Sequence, residues 1–181
     1  MPNTITDSPS SEEQRFLPQV EAHLRQGGWY PERVIDDQRL KNWLIVELSV
    51  GLRPIQTRMF PAAWKILQEF GDLIIQTAHQ ETISFNPLES LWDEFWFVDE
   101  WTSEGALFPL GTHTEGSCTY AMAVTGRGQV IDNQGFLIGN TIEDAITNLV
   151  VGGQLPVYNP NTDEFRRAST LIPLLREVLG I

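Results

Sequence analysis

The sequence predicts an α+β fold: a mainly antiparallel sheet packed against helices, with a further helix added at the C-terminus. Three observations predict it. Apolar residues recur at helical spacing in the N-terminal part, at Phe16, Val20 and Leu24 and again at Phe60, Ala63, Trp64, Leu67 and Phe70. From Leu73 onward the pattern changes to short runs rich in β-formers. Turn signals at Gly126-Arg127-Gly128 and Asn133-Gln134-Gly135 separate several of those runs, as they do in antiparallel hairpins.

Taken in order, residues 1–11 read as a flexible tail. Glu12 to Gln26 reads as a first helix, closed by Gly27-Gly28. Asp36 or Asp37 can cap a second helix running to about Ser49, with Leu40, Trp43, Leu44, Glu47 and Leu48 as its stripe and Gly51 after it. Pro61 opens a third helix at its first position, where a missing N–H costs nothing, and Gly71 ends it. Leu73–Thr77 and Glu81–Phe85 read as strands, and Leu88–Trp92 as a short helical turn. Leu107–Gly111 is extended; Thr119–Thr125, Gln129–Asp132 and Phe136–Ile138 follow as strands. Asn140 or Thr141 caps a helix from Ile142 to Val151, since Thr141-Ile142-Glu143-Asp144 is close to a capping box. Leu155–Thr162 reads as a linker, and Asp163–Leu179 as a final amphipathic helix carrying Leu171, Leu174, Leu175 and Val178. The expected organisation is a tail (1–11), one α+β domain (12–153), and a linker with a helix packed on that domain (154–181). The last helix can cap the domain or mediate a dimer; capping is the simpler expectation, giving a monomer or weak dimer.

Composition bounds the class. The 181 residues, 41% hydrophobic and 20% charged, are those of a globular chain long enough for its own core. A lone cysteine, Cys118, cannot form an intramolecular disulfide. The polar N-terminus lacks the basic and apolar regions of a signal peptide, and no run approaches the length of a membrane span. A cytoplasmic location is therefore expected.

The net charge of −12 is unevenly placed. Residues 1–65 balance eight acids against eight bases, whereas Ile66 to Gly126 holds ten acids and no Lys or Arg. This excludes the cationic surfaces that nucleic acids and anionic lipids require, so neither nucleic acid nor membrane is an expected partner. It suits a partner with a basic surface, although acidity also serves solubility.

The order of landmarks resembles a known family. A helix is followed by GWYPERVID, then FPAAWKILQEFGDL, SFNP, LFPLG and GQVIDNQGFLIGNTIEDAITNLVVGG. Gly28, Trp29, Pro31 and Arg33 form the most specific piece, and Phe70, Gly71 and Leu73 the next. Together, over roughly residues 16–153, they resemble the SUKH superfamily of immunity proteins in its third subgroup, known from bacterial polymorphic toxin systems. The resemblance implies an α+β domain and a bacterial cytosolic protein that neutralises a cognate toxin, often a nuclease or deaminase, by binding it. It brings no catalytic residues. The stretch Trp92–Glu104 matches no motif of that family, and the segment after Gly153 looks like an addition.

The candidate partner-binding residues lie in that unmatched stretch: Trp92, Asp93, Glu94, Phe95, Trp96, Asp99, Glu100, Trp101 and Glu104. Aromatic anchors beside charge are common where interfaces concentrate their energy. The competing reading makes the aromatics core and the acids a solvated edge; on either reading at least one aromatic is expected at the surface. Trp29 and Tyr30 can form a ligand platform, but a plug between the first helix and the sheet is the preferred role for Trp29, and Arg33 is read as structural. His23, His79 and His113 have no metal-ligand spacing. His113, Glu115 and Cys118 share a polar loop without the electropositive setting that a cysteine nucleophile needs. Gly126-Arg127-Gly128 lacks the context of a phosphate loop. No catalytic residue, cofactor or metal is therefore expected. The leading expectation is an immunity protein that binds a toxin through an acidic, aromatic-rich surface. An intracellular scaffold or regulator of the same fold, and an enzyme of unknown type, are the alternatives.

Overall fold

A computed structural model describes residues 15–50, 53–91, 94–95, 107–152, 156–159 and 164–167. Its helices are α1 (Pro18–Gln26), α2 (Asp37–Asn42), α3 (Pro61–Phe70) and α4 (Ile142–Val151), with a 3-10 turn at Pro87–Ser90. Its strands are β1 (Ile45–Val50), β2 (Arg53–Arg58), β3 (Ile74–Gln76), β4 (Thr82–Ser84), β5 (Glu94–Phe95), β6 (Leu107–Glu115), β7 (Cys118–Thr125), β8 (Val130–Asp132), β9 (Leu137–Gly139), β10 (Pro156–Asn159) and β11 (Glu164–Arg167). The fold class is the expected α+β, with mainly antiparallel sheets against helices.

The first helix starts later than its apolar spacing suggests. Pro18 occupies its first turn, and a residue before proline is pushed toward extended geometry, which Leu17 adopts at φ −58° and ψ 145°. The second helix is cut short. Asp36 caps it by accepting from Gln38 N and Arg39 N, but Ile45–Val50 leaves it to form β1, whose residues alternate between exposed and buried. β2 pairs back on β1 from Ile45↔Arg58 to Val50↔Arg53. The third helix and α4 run over the expected residues. Thr141 Oγ1 accepts from Asp144 N at the start of α4, as a capping threonine does.

Six strands form one antiparallel sheet in the order β3-β4-β6-β7-β8-β9. Its middle strands are apolar on both faces because both faces are covered. Phe108, Leu110, Met122, Val124, Val130 and Ile138 join Val20, Leu24, Leu40, Leu67, Phe70 and Ile146 in a core beneath the four helices. The alternate residues Leu107, Ala121, Ala123, Ile131 and Leu137 face the other way, onto Leu48, Val50 and Phe95 of a second sheet ordered β2-β1-β5. The layers are thus helices, a six-stranded sheet and a three-stranded sheet.

Two glycines set close approaches. A β-bulge between Pro109 and Gly111 leaves Leu110 without a cross-strand partner. Gly111 has φ +145°, and a Cβ there would lie 1.9 Å from Ser84 O. At Gly139 a Cβ would meet Ala145 N at 2.3 Å, so α4 rests directly on β9.

The outer strand β3 is covered by α1 rather than by another strand. Gly27 lies against the Ile74 carbonyl, and His23 Nδ1 is 2.7 Å from Gln76 O. Edge strands present unpaired backbone groups, and covering them is one way proteins blunt an edge.

The C-terminal expectation is corrected in part. Pro156–Asn159, expected to be linker, pairs antiparallel with Glu164–Arg167, expected to open the final helix. The rest of the expected terminal helix, like the tail and most of Trp92–Glu104, lies outside the described residues.

Candidate functional site

The acidic, aromatic stretch enters the fold through β5. Glu94 and Phe95 pair in parallel with Ser49 and Val50 of β1, adding a third strand to the smaller sheet. Phe95 is fully buried among Leu48, Val50, Leu107 and Ala121. Phe95, expected among the partner contacts, thus has its side chain in the core, where it anchors the segment. Trp92, Asp93, Trp96, Asp99, Glu100, Trp101 and Glu104, and the side chain of Glu94, lie outside the described residues.

The landmark around Trp29 is a structural clamp. Trp29 is buried, meets Phe16 edge-to-face with ring centroids 5.5 Å apart, and donates from Nε1 to Glu69 Oε1 at 2.9 Å. Arg33 donates from Nη1 to Glu69 O and from Nη2 to Gly71 O at 2.8 Å, satisfying carbonyls at the C-terminal end of α3. Burial pushes the Arg33 pKa down, opposed by Tyr30, Asp72 and Glu69. Arg15 completes the cluster by donating to Glu69 at 2.6 Å and to Glu143 at 2.5 and 2.8 Å, while its guanidinium lies over Phe16 and Phe70. Burial works against charge on both Arg15 and Glu143. The bonds of Arg15 to Glu69 and Glu143 prevail over its burial, so Arg15 is held above its ordinary pKa, and the Arg15 bond likewise holds Glu143 below its own. Tyr30, by contrast, is exposed.

The acidic middle segment is less free than its charge count implies. Glu69 is taken by Arg15 and Trp29, and Asp72 forms a forked pair with Arg39 at 2.8 and 2.9 Å. The bonded contact with Asp72 raises the Arg39 pKa, against a smaller effect of burial. Linear sequence separates these acids from their bases by 33 and 54 positions, so composition windows could not reveal the pairing.

The segment read as a polar loop, THTEGSC, is the hairpin between β6 and β7. Glu115 and Cys118 face each other across its turn, with Cys118 exposed. His113 is buried instead, its ring stacked on Tyr120 at 5.3 Å and its Nε2 3.7 Å from Asp132 Oδ2. Asp132 Oδ1 accepts from Gln134 N and Phe136 N, which shapes the turn into β9. The Tyr120 pKa is raised, first by its hydrogen bond with Cys118 and then by burial. His113 beside Asp132 is a pair that spacing alone did not single out. Among the described residues no group of three His, Cys, Asp or Glu could hold a metal ion. No helix among them is long and apolar enough to cross a membrane.

Comparison with known proteins bears on this arrangement. A family model described as SUKH-3 immunity protein matches residues 16–152. That span runs from Phe16, which packs on Trp29, to the end of α4, and takes in the Trp29–Arg33–Glu69 clamp. No curated protein and no solved structure matches the chain.

Proposed function

The chain belongs to the SUKH-3 immunity protein family, and from that premise we propose that it binds a cognate protein toxin, a nuclease or deaminase, and blocks it by occupancy rather than by catalysis. The family match carries this reading. The charge distribution supports it: the catalytic grooves of enzymes that act on nucleic acid are basic, and an acidic inhibitor accelerates encounter with such a groove.

On this reading the contact surface is the stretch held by β5. Phe95 is its buried anchor, and Trp92, Asp93, Glu94, Trp96, Asp99, Glu100, Trp101 and Glu104 supply contacts. The chain acts in the cytosol, as one domain over residues 12–153 with the 154–181 segment as an appendage.

The test is co-expression with the toxin encoded beside its gene, followed by size-exclusion chromatography. Rescue of growth and a co-eluting complex are expected; continued toxicity with no complex overturns the proposal. Reversing Asp93, Glu94, Asp99 and Glu100 to Lys should slow association about tenfold or more and flatten its salt dependence. An unchanged on-rate would remove that stretch from the interface.

A further inference from the structure

We draw no further inference here: the strongest candidate, the solvent-facing sheet patch of Ile74 and Gln76 on β3, Thr82 on β4, Thr114 on β6 and Thr119 on β7, carries none, because nothing in the structure shows what covers it.

Discussion

Glu69 lies in the stretch that lacks Lys and Arg, yet its carboxylate is bonded to Arg15 and to Trp29, both from the first thirty residues. Its backbone carbonyl takes a third contact from Arg33. One residue thus ties the chain before α1, the loop after α1 and the end of α3 together. Arg15 extends the tie to Glu143 in the first turn of α4, where a negative charge also complements the helix N-terminus. Because the Glu143 carboxyl is held below the ordinary carboxylate range, its stabilising contribution is fully present above about pH 4.3. It is lost as pH falls through the lower folded value. Arg15 and Glu143 are 40% and 34% exposed at their side chains, so solvent screens the pair. Glu143→Gln should therefore cost only about 0.5–1 kcal/mol at neutral pH. Thermal melts between pH 7 and pH 3 check this: the gap between wild type and variant should narrow as pH falls. A gap that does not change across that range assigns the effect to packing instead of charge.

At the scale of elements, α3 and α4 were legible because their signals are local and agree. Pro61 and Gly71 bound one; Thr141 and Gly152 bound the other. The stretch 36–50 was not legible as it folds. Leu40, Trp43, Leu44 and Leu48 fit a helical stripe, but Val46, Leu48 and Val50 fit a strand equally well, and β2 decides between them by pairing along the whole of β1. That is a tertiary choice overriding a local pattern. β2 itself passed unnoticed because Pro54 and the polar residues around it weaken its strand signal, a tolerable composition at a sheet edge. The bulge in β6 was invisible for a similar reason, since its glycine answers to Ser84 far away in sequence. This yields a paired prediction. Gly111→Ala meets backbone at 1.9 Å and should lose several kcal/mol, about 1–3 from overpacking plus the strain of its φ. Gly128→Ala, at φ +84° with open space around it, should lose only the strain, about 1 kcal/mol. Urea unfolding of the two variants measures the difference. Equal losses would mean that the bulge relaxes.

For the molecule as a whole, the succession of β7, β8 and β9 in the large sheet could be read from turn residues, whereas the rest of its order and the existence of a second sheet on its far face could not. The sign of that second layer was present in the sequence: Ala121, Met122, Ala123 and Val124 are apolar without alternation, which requires cover on both sides. The aromatics and acids of the candidate surface stood out, but Phe95 belongs to the interior and Glu69 and Asp72 are spent on internal pairs. The layered arrangement predicts a gradient of local stability. Backbone amides of β6 and β7, between the two cores, should exchange with solvent only on global unfolding, while those of β2 exchange through smaller openings. Hydrogen exchange followed by mass spectrometry tests this, and faster exchange in β7 than in β2 would contradict it.

The contact of α1 with β3 carries a consequence for abundance. On the occupancy reading proposed above, the protein must be kept in stoichiometric excess over its target, and crowded copies of a sheet protein risk stacking strand on strand into fibres. Here the vulnerable rim is shut by a helix, with His23 on the carbonyl of Gln76 and Gly27 against that of Ile74. The same short helix that leads into the Trp29 clamp thus shields this edge from other copies, and because it also places Val20 and Leu24 in the core, the shield cannot be trimmed away without loss to the fold.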